Sequence, residues 1–263
     1  MERKIVKNLL SWKNNPQKQP LLVQGARQVG KTYILLSFGK EHYKNVAYFN
    51  LEESADVRAI FERDLNPERI VKELAAKSGQ SILPGDTLII FDEIQACEQA
   101  LTSLKYFSEK APNHHVVAAG SLLGIAVKRK SFSFPVGKVD MLHLYPMDFE
   151  EFLWAMGQEK LHELIREAYE GFSPLSLHDT AMDLYKTYLA VGGMPRAVSE
   201  YASKRDFDFA VAIQRTLNDS YIADMAKYAT PVETTRNMAV WDSIPAQLAK
   251  ENRKSNIKLV KII

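Results

Sequence analysis

A glycine-rich octapeptide near the N terminus constrains the fold of this chain more than any other feature. Residues 25–32 fill every fixed position of the pattern G-x-x-x-x-G-K-[ST]. In such a loop the glycines let backbone N–H groups turn toward a phosphate, the lysine reaches the β- and γ-phosphates, and the hydroxyl can bind Mg²⁺. The pattern predicts a nucleotide-binding loop made of Gly25, Ala26, Arg27, Gln28, Val29, Gly30, Lys31 and Thr32.

The residues on either side of the octapeptide fit this prediction. Residues 21–24 form a short apolar run typical of a buried strand, and residues 33–38 can form a helix that Gly39 ends. Strand, loop and helix in this order place the loop at a helix N terminus, where unpaired amides and the helix dipole favour an anion. A phosphate site is therefore favoured over a purely structural glycine turn.

A second motif closes the apolar run of residues 86–93, which ends in the adjacent carboxylates Asp92 and Glu93. An apolar run without polar alternation is typical of a strand covered on both faces of a parallel sheet, and such sheets bind ligands at the C-terminal ends of their strands. The motif predicts that Asp92 holds Mg²⁺ through water and that Glu93 orients and activates an attacking water. A solvated acidic turn is the alternative.

Strands and helices alternate along the first half of the chain. Residues 45–51 and 115–119 read as strands, and a helix is predicted between a cap at Asn66, with Pro67 in its first turn, and Gly79. The alternation predicts an α/β fold with a parallel sheet and flanking helices. Ser121 follows the strand at 115–119, so its hydroxyl could contact the γ-phosphate or position the water; a plain turn serine is the alternative. A further helix is predicted before Pro112, because apolar residues recur there at helical spacing, at Leu101, Leu104 and Phe107.

Composition limits the function classes without choosing among them. The chain has 263 residues, of which 46% are hydrophobic and 25% charged, enough for a globular protein with more than one domain. A net charge of +2 does not demand a nucleic-acid or membrane partner. Cys97 is the sole cysteine, which excludes an internal disulfide and fits a cytoplasmic location. Residues 1–12 are predicted to form an amphipathic helix on the core, and no segment has membrane length.

Two other chemistries are disfavoured by the spacing of their residues. His114 and His115 are neighbours on a strand and would face opposite sides, so they do not share a metal, and no H-E-x-x-H motif or spaced cysteine pair occurs. In residues 120–124 the serine directly follows the first glycine, whereas the nucleophile elbow G-x-S-x-G needs a residue between them. A serine hydrolase is therefore disfavoured.

The order of motifs resembles one known group. Residues 25–32, 91–95, 119–124, 134–138, 144–152 and 192–195 together resemble prokaryotic AAA-superfamily ATPases that carry a C-terminal domain of unknown function, and the resemblance covers nearly the whole chain. It implies a P-loop core of the additional-strand type, a helical lid, a winged-helix segment and a nuclease-like C-terminal domain. The corresponding boundaries here are 1–147 for the core, 148–230 for the lid and 231–263 for a partial winged helix.

The resemblance also implies residue roles, with ATP and Mg²⁺ as cofactors. Lys138 stands where the group often has arginine, so it could stabilise charge on the γ-phosphate within one subunit or across two; a solvated lysine is the alternative. Arg196 is a second candidate cation, at a position where the group does not reliably have arginine. The phosphate role falls on Lys31, the metal roles on Thr32 and Asp92, the water-activating role on Glu93 and the sensor role on Ser121.

The second half of the chain is predicted to be helical. Helices are expected at residues 149–156 behind a cap at Asp148, and at 161–169, 181–191 and 207–228. Gly192-Gly193 is either a hinge or a tight turn between two helices. Residues 234–241 and 245–251 are expected to be the first two helices of a winged helix, and the chain ends at residue 263 before a recognition helix or wing. A truncated gene product or a fragment is therefore expected.

These observations lead to a main hypothesis and two alternatives. The main hypothesis is Mg-dependent ATP binding and hydrolysis by a molecular switch or motor that has no membrane partner and can form a homo-oligomer. The first alternative is an ATP-gated module that binds nucleic acid or another partner with little turnover, based on Lys128, Arg129 and Lys130 and on a basic tail. The second is a P-loop kinase, which is weaker because adjacent carboxylates suit water activation.

Overall fold

A parallel sheet forms the centre of the N-terminal half in the computed structural model, which describes residues 1–121, 137–228 and 230–249. Within these residues the spatial order of strands is β2-β3-β4-β1-β5. The strand β4 therefore lies between β1 and β3, the two strands that end in the glycine loop and the acidic pair. This arrangement confirms the predicted α/β P-loop fold of the additional-strand type. The strands are β1 (Leu21–Gly25), β2 (Asn45–Asn50), β3 (Thr87–Asp92), β4 (His115–Gly120) and β5 (Asp140–Leu144).

Helices cover both faces of the sheet, and β3 shows why its sequence lacks polar alternation. Leu88 and Ile90 enter the apolar cluster under α1 and α2, while Ile89 and Phe91 enter the cluster under α3, α4 and α5. Both faces are thus shielded from water, as the apolar run predicts. The helices are α1 (Ile5–Asn14), α2 (Lys31–His42), α3 (Ala55–Arg63), α4 (Pro67–Ser78) and α5 (Glu98–Lys110).

Local signals position α1 and α4 as predicted. The side chain of Asn66 accepts a hydrogen bond from the Glu68 N–H and caps α4, and Gly79 ends the helix with a left-handed φ of 67°. On α1 the buried side chains recur at helical spacing and pack on the sheet. These buried residues are Ile5, Leu9 and Trp12.

Three details of the core differ from the predictions. The helix α2 continues through Gly39 to His42, because Gly39 serves close packing and not termination: a Cβ there would lie 2.7 Å from Val46 Cγ2. Two elements, α3 and β5, were not predicted. The strand β5 has only its last residue, Leu144, buried, so its sequence lacks the continuous apolar run of the central strands.

The helices after β5 have an apolar cluster of their own. It includes Met147, Phe152, Val191, Val198 and Tyr201. The helices predicted after Asp148 are present, and none of the helices in the described ranges is long and apolar enough to cross a bilayer. The described helices of this part are α6 (Phe149–Ala155), α7 (Glu159–Glu170), α8 (His178–Val191), α9 (Pro195–Lys204), α10 (Phe207–Tyr228) and α11 (Pro231–Leu248), of which α9 was not predicted.

The paired glycines between α8 and α9 form a turn that packs against the backbone of Met147, just before α6. Gly192 ends α8 with a φ of 74°, and the Met147 N–H donates to the Gly193 carbonyl at 2.6 Å. A Cβ on Gly193 would lie 2.1 Å from the Met147 carbonyl oxygen. Close backbone contact therefore accounts for Gly193, which favours the tight turn over the hinge.

The C-terminal part differs from the expected pair of short helices. Residues 231–248 form one continuous helix, α11, so the break predicted between 241 and 245 is wrong. Trp241 holds this stretch against α10, because its indole donates to Asn218 Oδ1 at 3.0 Å and its ring lies 5.8 Å from that of Tyr221. Pro245 lies in the last turn, where it forgoes one helical hydrogen bond. The basic tail residues Lys250, Arg253, Lys254, Lys258 and Lys261 lie outside the described residues.

Candidate nucleotide-binding site

The glycine-rich loop connects β1 to α2 at the C-terminal edge of the sheet. Gly30, the residue before α2, has φ 95° and ψ 21°, a left-handed conformation that glycine adopts without a Cβ penalty. Gln28 also has a positive φ, of 62°. The loop thus turns sharply into the N terminus of α2, where unpaired N–H groups are available to an anion.

Lys31, the first residue of α2, folds back over the loop. Its side chain is only 7% exposed, and Nζ donates to the carbonyl oxygens of Gly25 at 3.0 Å and Ala26 at 2.8 Å. Burial lowers the pKa of the ammonium, while the charges on Glu93 and Asp92 oppose this shift. The two carbonyls take the hydrogen bonds that phosphate oxygens would accept.

The acidic pair at the end of β3 meets the glycine loop directly. Thr32 Oγ1 donates to Asp92 Oδ2 at 2.6 Å across 60 residues of sequence. Asp92 is 3% exposed, its Oδ1 accepts the Glu93 N–H at 3.0 Å, and its Oδ2 also accepts the Tyr48 hydroxyl at 3.0 Å. The structure therefore brings together the two residues to which the sequence assigns the metal.

Glu93 and Ser121 lie at the same edge of the sheet. Glu93 has φ 50° and ψ 48°, an uncommon left-handed conformation for a residue with a side chain, and its carboxylate accepts a hydrogen bond from the Gln95 amide. On β4, Gly120 is in register with Gln24 of β1, so Ser121 follows beside the start of the glycine loop. The five residues with proposed chemical roles thus share one edge.

The oxygen donors at this edge fit magnesium when it is bound together with a nucleotide. In the ranges that the structure describes, no group of three or more His, Cys, Asp and Glu side chains could hold a metal alone. Mg²⁺ is commonly held by one or two protein oxygens, water and substrate phosphates. The hydroxyl of Thr32 and the carboxylate of Asp92 are hard oxygen donors of this kind.

A buried arginine, which sequence reasoning missed, joins the glycine loop to the helices that follow β5. Arg3 is 6% exposed and donates to the carbonyls of Val29 at 3.3 Å and Tyr145 at 2.7 Å. Its Nε lies 3.1 Å from Glu151 Oε1, on α6. These partners are 26, 142 and 148 residues away in sequence, so no local pattern could have indicated them.

A cavity of about 340 Å³ lies beside the loop, between the N-terminal segment, α2 and α9. Arg196, the second residue of α9, and Gly30 of the glycine loop both line this cavity. The sequence alone gave no reason to prefer this arginine. The lining includes Arg3, Gly30, Tyr33, Ile34, Pro195 and Arg196.

Lys138 lies at the N-terminal ends of the strands, opposite the ends that carry the glycine loop. It precedes β5, and its Nζ pairs with Glu109 Oε1 on α5 at 3.3 Å. The five residues of β5 span roughly 16 Å, so Lys138 does not reach a phosphate held by the loop of its own chain. Action within one subunit is therefore wrong, and action across two subunits stays a hypothesis.

The long helix α10 contacts the crest of the glycine loop. The Tyr221 hydroxyl donates to the Arg27 carbonyl at 2.8 Å, and the Gln28 amide donates to Ser220 Oγ at 3.4 Å. A change of loop conformation would therefore alter these contacts with α10. Parts of two sequence motifs, residues 122–124 and 134–136, and the basic run at 128–130 lie outside the described residues.

Comparison with known proteins agrees with this geometry. An AAA domain family model (AAA_14) matches residues 17–153, just over half of the chain, and a model for a domain of unknown function (DUF8612) matches residues 182–261. No curated protein matches the sequence.

Several solved structures are similar to this chain. They include the Walker-type ATPase PABY2304 of Pyrococcus abyssi, at 17% identity, with 94% of this chain and 77% of that chain covered and a TM-score of 0.49. DNA-bound ORC of Drosophila is 17% identical, with coverages of 80% and 65% and a TM-score of 0.43. The RuvB Holliday junction branch migration motor of Thermotoga maritima is 16% identical, with coverages of 83% and 70% and a TM-score of 0.44.

The AAA match includes all of the described sheet, the glycine loop and the acidic pair. It supports ATP binding and hydrolysis as the general activity, whereas the match at residues 182–261 is to a domain of unknown function and identifies neither a winged helix nor a nuclease-like domain. The chain belongs to the AAA domain family (AAA_14).

Proposed function

We propose that this chain binds Mg²⁺-ATP at the C-terminal edge of the sheet and hydrolyses it. The observation that carries the proposal is the 2.6 Å hydrogen bond between Thr32 Oγ1 and Asp92 Oδ2, because it joins the phosphate loop to the acidic pair. A hydroxyl that donates to the carboxylate still has lone pairs to offer to a cation.

Each residue at the edge has a distinct role in this proposal. Lys31 and the loop amides hold the phosphates, and Thr32 with Asp92 holds Mg²⁺, which when bound would supply positive charge to the phosphate oxygens. Glu93 orients the attacking water and accepts its proton, and Ser121 contacts the γ-phosphate or that water. Release of the Gln95 amide would free the Glu93 carboxylate for this task.

The cavity beside the loop is the proposed site for the nucleotide base. Its volume of about 340 Å³ falls within the range of small-ligand sites. Ile34 and Pro195 offer apolar surface, and Tyr33 offers an aromatic ring. Arg196 supplies a cation from the lid side of the cavity.

We also propose that the protein works as a switch or motor with three parts, at residues 1–147, 148–230 and 231–263. The contacts of Tyr221 and Ser220 with the loop crest support this role, because they couple the nucleotide loop to α10. Assembly into a homo-oligomer belongs to the same proposal, since Lys138 could then act on a neighbouring subunit.

The test is the substitution Glu93→Gln. We expect phosphate release to stop while the affinity for Mg²⁺-ATP is kept, because the amide preserves the shape of the side chain but accepts no proton. Glu159→Gln, the same change at an exposed position of α7, is the matched control and should leave turnover unchanged. Unchanged hydrolysis in Glu93→Gln would refute the role of Glu93.

The alternative is an ATP-gated module that binds DNA or another partner with little turnover, on the basis of the basic residues at 128–130 and in the tail. Two measurements separate the two functions: phosphate release with and without DNA, and DNA affinity at several salt concentrations. A steep salt dependence of DNA affinity without phosphate release would favour the module. Turnover without any DNA effect would favour the ATPase.

A further inference from the structure

The buried carboxylate of Asp92 has one partner that the proposed roles do not explain. Among the described residues, the groups that donate to it are the Glu93 N–H, the Thr32 hydroxyl and the Tyr48 hydroxyl. The first belongs to the turn after β3 and the second to the phosphate loop. Tyr48 belongs to neither motif.

Tyr48 reaches Asp92 from the neighbouring strand. It lies on β2, at the edge of the described sheet, in register with Ile90 of β3. Its ring is 36% exposed, and its hydroxyl lies 3.0 Å from Asp92 Oδ2. The phenol therefore closes the side of the carboxylate that faces the sheet edge.

These hydrogen bonds fix both the orientation and the remaining capacity of Asp92. A carboxylate offers about four lone-pair positions, and Oδ2 already accepts two hydrogen bonds while Oδ1 accepts one. The position left for a metal-bound water is on Oδ1. Since Mg²⁺ requires near-ideal octahedral geometry, rotation of this carboxylate would weaken its binding. Of the two side chains on Oδ2, Thr32 is itself assigned to the metal, so only Tyr48 provides an independent anchor.

We propose that Tyr48 is a positioning residue that holds the Asp92 carboxylate in the orientation needed for Mg²⁺-nucleotide. This inference rests on the proposed function, because it concerns the same metal. Partners of metal-binding carboxylates act in this way in other proteins, and their loss commonly weakens metal affinity by about tenfold to a hundredfold.

The experiment is calorimetric titration of a non-hydrolysable ATP analogue into wild type and Tyr48→Phe at increasing Mg²⁺ concentration and in EDTA. Phenylalanine keeps the ring and removes only the hydroxyl. We expect the Mg²⁺ concentration for half-maximal tightening to rise about tenfold, with analogue affinity in EDTA unchanged. Tyr43→Phe is the control: that hydroxyl pairs with His115 Nδ1 at 2.9 Å, away from the glycine loop. It should leave the Mg²⁺ requirement unchanged.

Two results would overturn the inference. A wild-type Mg²⁺ requirement in Tyr48→Phe would show that the hydroxyl does not position Asp92. An equal rise in Tyr43→Phe, or an equal loss of affinity in EDTA, would assign the effect to general destabilisation. If analogue binding by the wild type itself ignores Mg²⁺, the proposed metal site is wrong and the role of Tyr48 is wrong with it.

Discussion

Burial and neighbouring charge shift the pKa values of Tyr48 and Lys31 at the candidate site. Burial is the largest cause that raises the pKa of Tyr48, and the Asp92 charge and hydrogen bond add to it. The phenol is therefore protonated, and a donor, throughout the physiological range. Lys31 has a lowered pKa because it is buried, with nearby carboxylates opposing the shift.

His115, at the start of β4, gives the clearest pH dependence of stability. Burial, together with Lys18, Lys13 and His114, lowers its pKa from 6.5 to about 4. The unfolded chain therefore binds this proton near pH 6.5, whereas the folded chain binds it only near pH 4. The stability that the fold has with a neutral, buried His115 is therefore fully present above pH 6.5 and is lost as the pH falls from 6.5 to 4. The loss is on the order of 2 kcal/mol after screening of a half-buried ring.

The measurement is urea unfolding of wild type and His115→Gln at several pH values in that window. Glutamine does not titrate, so the difference in the free energy of unfolding between the two proteins should change with pH and level off at both ends. A difference that stays constant across the window would contradict the assignment to His115.

At the scale of elements, the buried pair of Arg3 and Glu151 should contribute strongly to stability. Glu151 is 5% exposed, and it also accepts the Lys4 N–H at 2.7 Å and completes the capping box of α6. Arg3→Ala leaves this carboxylate buried without its cation. We expect a loss of about 3–5 kcal/mol in the free energy of unfolding, because breaking one side of a buried pair costs this much.

Urea unfolding followed by circular dichroism measures the loss. Lys4→Ala is the control, since Lys4 Nζ pairs with Asp148 and Glu150 through side chains that are 40%, 52% and 30% exposed, respectively, and such partly exposed pairs should contribute only about 0–1 kcal/mol each. A loss in Arg3→Ala as small as that in Lys4→Ala would contradict a stabilising role of the buried pair.

Elements were predictable from sequence where local chemistry specifies them. The helix α4 carries its own cap, proline and terminal glycine, and β3 carries an uninterrupted apolar run. The strand β5 has only one buried residue, so its sequence lacks an apolar run that would predict a strand. It is a strand because its backbone pairs with β1. Likewise, Pro245 predicts a helix break, but residues 231–248 form one continuous helix. Trp241 of this helix packs on α10, a contact that the local sequence does not indicate.

At the scale of the whole molecule, the motifs identified which residues meet at the sheet edge, because parallel strands end together there. The supporting residues could not be predicted. Arg3 contacts Val29 of the glycine loop across 26 residues of sequence, and Tyr48 contacts Asp92 across 44, and nothing in their own neighbourhoods marks them. Tyr221 likewise reaches the loop crest only because α10 folds back onto it.

The most direct test of a shared metal site for Thr32 and Asp92 is a double-mutant cycle on nucleotide affinity. Calorimetry measures the gain in affinity for a non-hydrolysable ATP analogue that Mg²⁺ provides, in wild type, Thr32→Ala, Asp92→Asn and the double variant. We expect each single change to reduce that gain by about tenfold or more, and the double change to reduce it no further, because both side chains act on one ion. Additive losses, or a gain retained in either single variant, would contradict the convergence of the two motifs on one Mg²⁺-nucleotide.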